Sequence, residues 1–315
     1  MKIVLLEPLA ISEETLAGFA KQLEAQGQEF EAFEKNTDEE VQIQRAKDAD
    51  VIMIANMPLT GRVIRACENL KFINVAFTGF DHVDLEAARQ KGVAVSNASG
   101  YATESVAELV IGYAISLLRN IPQTEARCKA GLTKEGLVGN EVKGKVIGIV
   151  GAGAIGLRTA ELFKVFGCEI IAYNPSPRQE APDYIKFVEL EELLERADIV
   201  SLHCPLNPST QGLMNEERIG LMKESAYLIN TARGPVVDSQ ALANALNEGR
   251  LAGAAIDVFE IEPPLLTSHP LLHSKNTLVT PHIAFASKES MVLRAQIVFD
   301  SLESWLSGHQ VNKVI

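Results

Sequence analysis

Three polar side chains stand at the ends of apolar runs in the second half of the chain: Arg233 after AYLINTA, Glu262 in VFEIEPP and His282 in LVTPHIA. Histidine is the side chain best able to pass a proton near neutral pH. A carboxylate beside it favours the charged imidazolium and keeps it competent as an acid. An arginine presents a planar fork that grips a carboxylate at two points. Taken singly, each has an ordinary alternative: a surface arginine, a solvated loop acid, a packed or helix-capping histidine. Their complementarity changes the weighing. With a redox cofactor, they are the parts that hydride transfer to a 2-keto acid requires: a proton donor for the carbonyl oxygen and a clamp for the carboxylate.

A cofactor site is written between residues 146 and 165. The apolar run Val146-Ile147-Gly148-Ile149-Val150 reads as a buried parallel strand, and AIGLRTAELFKVFG after it has helical spacing. Between them lies GAGAIG, with Gly151, Gly153 and Gly156 in the G-x-G-x-x-G register and Ala154 and Ile155 opening the helix. Strand, glycine turn and helix make a dinucleotide fingerprint: Gly151 for the tight turn, Gly153 for approach of a pyrophosphate, Gly156 for close helix packing. Free N–H groups at the helix start receive the phosphates. A glycine-rich turn without a ligand is the alternative.

The elements that must position these groups alternate along the chain. KIVLLEP, VIMIAN, KFINVAF and VAVSNAS are short apolar runs, with helical patterns such as SEETLAGFAKQLEAQ, TDEEVQIQRAKDA and LEAARQKG between them. That predicts an α/β layer with a mostly parallel sheet. SVAELVIGYAISLLRN predicts an apolar helix bridging two domains. A second alternation runs through EIIAYN, IVSLHC, AYLINTA, LAGAAIDVF and TLVTPHI, a doubly wound sheet over about 100–283. The last segment, KESMVLRAQIVFDSLESWLSG, predicts one amphipathic helix that folds back on the first domain. The domains expected are therefore 1–99 with 284–315, and 100–283, with a ligand cleft between them.

The 315 residues carry a net charge of −12, 47% hydrophobic and 22% charged residues. Such acidity disfavours nucleic acid or an anionic membrane as the main partner, and no apolar stretch reaches the roughly 18 residues of a bilayer span. MKIVLLEP, interrupted by Glu7, is not expected to be a leader. Cys67, Cys128, Cys168 and Cys204 form no CxxC pair and read as reduced thiols of a cytoplasmic protein. No cluster has metal-ligand spacing, and no metal is expected.

VGAGAIG, HCPLNPSTQGLMN, LINTARGPVVD, GAAIDVFEIEPP and TPHIAFAS, in that order, resemble the D-2-hydroxyacid dehydrogenase family over essentially the whole chain. The resemblance implies a Rossmann dinucleotide-binding domain inserted into a flavodoxin-like substrate domain. It also implies that Arg233 orients substrate, His282 is the general acid–base and Glu262 polarises His282. The similar formate dehydrogenases carry glutamine in place of that acid, so Glu262 argues against formate. By the same resemblance, backbone N–H groups at Thr78 and Gly79 in FTGFDHVD hold the substrate carboxylate, and Asn56 and Met57 neighbour the substrate. Thr103 approaches the nicotinamide-side phosphate, and Cys204 and Pro205 wall the adenine with Thr210 nearby. Cys204 has an equal alternative as an inert apolar residue. Thr231 and Ala232 line the nicotinamide ribose, and Asp257 the carboxamide. A homodimer through the dinucleotide-binding domain is implied as well; 105–118 and 119–144 are candidates for that contact, with packing inside one chain as their alternative.

One position departs from the NAD-preferring pattern. The residue about 20 positions beyond the glycines is Asn174, where an Asp would repel the 2′-phosphate of NADP. Asn174 still bonds a ribose hydroxyl without that repulsion. Ser176 and Arg178 can each touch a 2′-phosphate, so NAD is expected first and NADP is left open. The loops ANMPLT and FTGFDHVD offer no basic side chain for a phosphorylated substrate unless Arg62 reaches in. With the sequence ending at Ile315, the appended regulatory domains of long phosphoglycerate enzymes are not expected. Tyr101, Met57, Phe80 and Phe285 suggest a compact, partly apolar pocket for glyoxylate, hydroxypyruvate or pyruvate; Tyr101 has packing as its alternative. Rival readings are an NAD(H)-sensing, corepressor-like binding protein and a phosphoglycerate- or phosphite-oxidising member of the family.

Overall fold

The short apolar runs become the strands of two parallel sheets. The structure, a computed structural model, describes residues 1–175, 181–261 and 265–315. It divides into two units, Met1–Ala102 with Ala286–Ile315, and Thr103–Phe285.

In the first unit the strands are β1 (Lys2–Leu5), β2 (Glu29–Ala32), β3 (Val51–Ile54), β4 (Phe72–Val75) and β5 (Ala94–Asn97), parallel in the order β2-β1-β3-β4-β5. VIMI and FINV are buried at every position, as strands covered on both faces must be. Helices α1 (Glu13–Ala25), α2 (Glu39–Ala46), α3 (Gly61–Ala66) and α4 (Leu85–Lys91) make the crossovers. Ser12, Asp38 and Asp84 accept backbone N–H groups at the starts of α1, α2 and α4, satisfying donors that no helical carbonyl reaches.

The second unit holds α5 (Thr103–Leu118), α6 (Ile121–Lys129), β6 (Val146–Val150), α7 (Ala154–Val165), β7 (Glu169–Tyr173), β8 (Ile185–Phe187), α8 (Leu190–Arg196), β9 (Ile199–Leu202), α9 (Glu216–Leu221), β10 (Tyr227–Asn230), α10 (Ser239–Asn247), β11 (Gly253–Ile256) and β12 (Thr277–Val279). Its seven strands are parallel in the order β12-β11-β10-β9-β6-β7-β8. The chain leaves β6 toward β7 and β8, then returns to build outward from β9. The crevice at the carboxyl ends of β6 and β9 is thus the switch point of a doubly wound sheet, where such folds bind ligands. The sequence-based expectation of two doubly wound parallel sheets holds.

Helix α11 (Lys288–Leu306) belongs to the first unit. Met291, Arg294, Ala295, Val298, Phe299 and Leu302 form its buried stripe, at the spacing of a half-buried helix. Phe299 stacks on Phe19 at 4.1 Å and Trp305 on Phe72 at 4.7 Å between ring centroids. Asn74 Nδ2 donates to the Val298 carbonyl at 2.8 Å. Beyond it, Asn97 N–H donates to the Asn312 carbonyl and Val314 N–H to that of Val95. The tail thereby covers the open edge of β5, which would otherwise present unpaired backbone groups. Among the described residues, no helix is long and apolar enough to cross a membrane.

Candidate active site

The parallel register of β6 with β7 and β9 assembles the cofactor side. Val150 pairs with Tyr173 and Leu202, so Gly151, Asn174 and His203 leave the sheet as neighbours. Gly151 has φ +101°, and a Cβ there would stand 2.6 Å from the Cys204 nitrogen. At Gly156 a Cβ would lie 2.1 Å from the Gly151 carbonyl oxygen. Both positions therefore exclude a side chain, one by conformation and contact, the other by contact alone. Gly153 differs: a Cβ there would meet nothing within 4 Å, and α7 starts at it without a side-chain cap. The start of α7 is thus uncapped by a side chain and has room beside Gly153, which fits a phosphate at the helix N-terminus. Asn174 Oδ1 accepts the Ala152 N–H at 3.3 Å, tying the end of β7 to this turn. Thr103 opens α5, which packs against α7 and is joined to it by the Glu104–Arg158 ion pair at 2.9 Å.

Cys204 and Pro205 follow β9. Burial pushes the Cys204 thiol up to about 11, so it is an un-ionised, apolar wall rather than a nucleophile. Thr210 donates its hydroxyl to the Pro205 carbonyl at 2.6 Å and accepts the Asn207 N–H at 2.9 Å. Its hydroxyl shapes the 205–210 loop. Beneath them His203 bonds Ser201 Oγ through Nε2 at 2.9 Å, and burial pushes it down to about 4. Its neutral form is therefore built into the fold. The unfolded chain takes up a proton near pH 6.5 and the folded one does not until about pH 4. This contribution is present above pH 6.5 and is lost as pH drops toward 4, by roughly 3 kcal/mol. Urea unfolding between pH 7 and 4 is expected to show a steeper loss for the wild type than for His203→Gln; parallel curves would remove His203 as the cause.

Arg233, Asp257 and His282 follow β10, β11 and β12, adjacent strands running the same way. Their carboxyl ends therefore line one edge of the same sheet. Buried Asn230 staples the arginine turn: its Oδ1 accepts the Ala232 N–H at 3.0 Å and its Nδ2 donates to the Arg233 carbonyl at 3.0 Å. Arg233 Nη1 donates to the Ala232 carbonyl at 2.8 Å, and the backbone at Arg233 is extended. Ala232 is 9% exposed, and the Thr231 hydroxyl is buried without a partner among the described residues. An orphaned hydroxyl of this kind costs free energy unless something supplies a partner. It fits the ribose edge of a bound dinucleotide.

His282 has φ +54°, the left-handed region that non-glycine residues rarely occupy. Asp257 holds it there. The Asp257 carbonyl accepts the His282 N–H at 2.7 Å, Oδ1 accepts the Ile283 N–H at 2.9 Å, and Oδ2 accepts the Ala284 N–H at 2.8 Å. Thr280 donates its hydroxyl to Asp257 Oδ1 at 2.6 Å, and Tyr113 on α5 reaches the same oxygen at 3.3 Å and Thr280 Oγ1 at 2.5 Å. The carboxylate is fully buried, and the His282 ring meets Phe285 edge-on at 5.1 Å. Asp257→Asn turns an NH2 against one of these N–H groups, a loss of about 1–3 kcal/mol. Turnover is expected to fall about 10–100-fold while NADH affinity changes little. A raised NADH dissociation constant with unchanged turnover would instead assign Asp257 to the carboxamide.

Glu262, Ser176 and Arg178 lie outside the described residues. In the first unit, Asn56 and Met57 follow β3, Thr78 and Gly79 follow β4, and Tyr101 follows β5, again neighbouring strands. Met57 is fully buried, and its N–H donates to Glu7 Oε1 at 2.8 Å. Asn97 Nδ2 donates to the Thr78 carbonyl at 2.7 Å. The expectation that only Arg62 can bring a positive charge near these loops needs correction. Arg62 is ion-paired with Glu39 and Glu40, whereas Lys35 Nζ donates to Asn56 Oδ1 at 3.2 Å. Lys35 was invisible in the sequence because it lies 21 residues from Asn56, after an edge strand. Asn230, Thr280 and Tyr113 were missed for a similar reason: single polar residues at strand ends or inside an apolar helix declare no partner.

Residues 111–284 match the family described as D-isomer specific 2-hydroxyacid dehydrogenase, NAD binding domain. The chain belongs to this family. It is 40% identical to a glyoxylate reductase of Thermofilum pendens over 86% of this chain and 83% of that one. It is 35% identical to a hydroxypyruvate reductase of Blautia hydrogenotrophica over 100% and 99%. The solved structure of an acyclic imino acid reductase in complex with NADPH and D-Arg superposes with a TM-score of 0.92 at 29% identity, covering 100% of both chains. The chain is thus a dehydrogenase that works with a nicotinamide dinucleotide.

Proposed function

We propose that the chain interconverts a small, unphosphorylated 2-keto acid and its D-2-hydroxy acid, of the glyoxylate, hydroxypyruvate or pyruvate type. One observation carries this reading: Arg233 and His282 leave β10 and β12, flanking β11, in the sheet that carries the glycine turn. The bound nicotinamide supplies or accepts the hydride at substrate C2. His282 delivers a proton to the C2 oxygen in reduction and removes it in oxidation. Glu262 favours the imidazolium, and Asp257 with Thr280 and Tyr113 holds the ring's backbone in place. Arg233 grips the substrate carboxylate through its fork. The second unit is the dinucleotide-binding domain, with Thr103, Cys204, Pro205, Thr231 and Ala232 along the cofactor. The first is the substrate domain, in which the Thr78 and Gly79 N–H groups take a carboxylate and Asn56, Met57 and Tyr101 form the wall.

NAD is the first cofactor of this reading, and NADP stays open because Asn174 carries no charge to repel a 2′-phosphate. Names of the two relatives, reductases of glyoxylate and hydroxypyruvate, support the substrate range. The same reading places the protein in the cytoplasm as a homodimer through the second unit. Ile121, Leu132 and Val138 are exposed apolar residues of 119–144, available for that contact. The test is nicotinamide absorbance on mixing the protein with hydroxypyruvate, glyoxylate or pyruvate, each with NADH and with NADPH. Steady turnover with at least one pair is expected. Turnover confined to 3-phosphoglycerate and NAD would overturn the unphosphorylated assignment and give Lys35 a phosphate to hold.

A further inference from the structure

Glu7 is a buried carboxylate, 3% exposed, just past the end of β1. A buried charge is costly unless its oxygens are matched by donors. Here both oxygens serve one turn. Oε1 accepts the N–H groups of Ala55 and Met57 at 2.7 and 2.8 Å, on either side of Asn56. Oε2 faces Lys35 Nζ at 3.5 Å, and the same Nζ donates to Asn56 Oδ1 at 3.2 Å. Lys35, Glu7 and Asn56 meet because they follow β2, β1 and β3, three neighbouring parallel strands. The turn after β3 is thus gripped at both flanking N–H groups and at the side chain between them.

The direction of the Asn56 amide follows from this grip. A lysine ammonium only donates, so the amide oxygen faces it and the NH2 group faces away. Ala55 and Met57 are buried while Asn56 between them is exposed, and its Nδ2 donates to no group among the described residues. The turn therefore presents a fixed donor. Its neighbour is the loop after β4, the next strand, where Thr78 and Gly79 are proposed to take the substrate carboxylate. Adjacent strands lie roughly 4.8 Å apart. A donor fixed one strand away from the carboxylate suits an oxygen carried on C3 of a three-carbon acid, and it offers nothing to a methyl group.

We propose that Lys35 is a specificity-determining positioning residue: anchored by Glu7, it holds the Asn56 amide so that Nδ2 donates to an oxygen on C3 of the substrate. The site then selects hydroxypyruvate over pyruvate. This rests on the proposed function and narrows its substrate range. Lys35 itself does not touch the reacting atoms. Its loss is read in the choice between two acids, not in proton or hydride transfer.

The test compares the wild type with Lys35→Met, Lys35→Arg, Asn56→Ala and the Lys35→Met/Asn56→Ala double variant. D-glycerate and D-lactate, which differ only in the C3 hydroxyl, are titrated into the NADH-loaded protein, where both partners are already reduced and neither acid reacts. KM and kcat are measured alongside for hydroxypyruvate and pyruvate with NADH. The wild type is expected to prefer D-glycerate and hydroxypyruvate. Lys35→Met and Asn56→Ala should each lower that preference by about 3–10-fold, the size of one hydrogen bond between uncharged groups, through KM rather than kcat. The double variant should lose no more of the preference than Asn56→Ala alone, since both changes act on one donor. Lys35→Arg, which still donates to the amide oxygen, should recover part of it. Equal losses for both acids of a pair would make Lys35 a prop of the whole loop, and additive losses in the double variant would make it a direct ligand. Either result overturns the proposal, as does a wild type indifferent to the C3 hydroxyl. Absence of turnover with every 2-keto acid strikes the proposed function, whereas the two titrations judge Lys35 independently of turnover.

Discussion

Replacing His282 by alanine is expected to lower turnover of the 2-keto acid by roughly 10²–10⁴-fold, the usual contribution of a positioned general acid. Cofactor affinity should stay nearly intact, because the glycine turn, Asn174 and Thr231 lie on other strands or loops. The fold should tolerate the change. The residue is partly exposed and its ring meets Phe285 edge-on, while the turn is gripped through backbone N–H groups by Asp257. Alanine in the left-handed region adds about 1–2 kcal/mol of strain at most, and histidine already bears part of it. Stopped-flow measurement of NADH oxidation separates the chemical step from binding. A variant that kept most of its turnover would remove His282 as the proton donor, and with it the chemical half of the proposed function.

Gly234→Ala should have an effect of comparable size by a different route. A Cβ on Gly234 would stand 1.9 Å from the Phe259 carbonyl carbon, 2.1 Å from its oxygen and 2.4 Å from the Glu260 nitrogen. These are backbone atoms, so no rotamer change relieves the clash. The turn that presents Arg233 must move away from the segment following β11. Overpacking of this kind costs about 3 kcal/mol, and a shift near 1 Å at a positioned group lowers kcat/KM by about 10²-fold. Urea denaturation and steady-state kinetics read both losses. Gly153→Ala is the informative contrast. Nothing lies within 4 Å of a Cβ there, so stability should change little. NADH affinity should fall by at least tenfold if a pyrophosphate occupies that space. If Gly234→Ala lost neither stability nor activity, the tight apposition of the arginine turn on the post-β11 segment would be wrong.

Local pattern told most where an element is buried on both faces. VIMI, FINV and VIGIV declare strands because they are short, almost wholly apolar runs, Asn74 being the one polar residue, and no helix of that length would bury all sides. The edge strands β2 and β8 carry Glu29, Glu31 and Lys186, and their half-exposed backbones need no apolar run, so they were not legible. The glycine fingerprint was legible for a related reason. Only glycine satisfies both the φ of +101° at Gly151 and the contacts at Gly156, so the motif is a steric requirement written in residue type.

The sequence by itself thus determined the fold class, the glycine turn and the placing of Arg233 and His282 just beyond strands, because each follows from short-range periodicity or from a residue type that alone meets a local need. Only the tertiary structure decided which groups stand together. Strand order places β10 and β12 on either side of β11, and so brings Arg233, Asp257 and His282, separated along the chain, to one edge. It also decided that Asp257 clamps the histidine turn and that Lys35 rather than Arg62 meets Asn56. Contacts between residues distant in sequence depend on how strands are ordered and helices docked. That information resides in the sum of many weak packing preferences, and no motif of a few residues contains it.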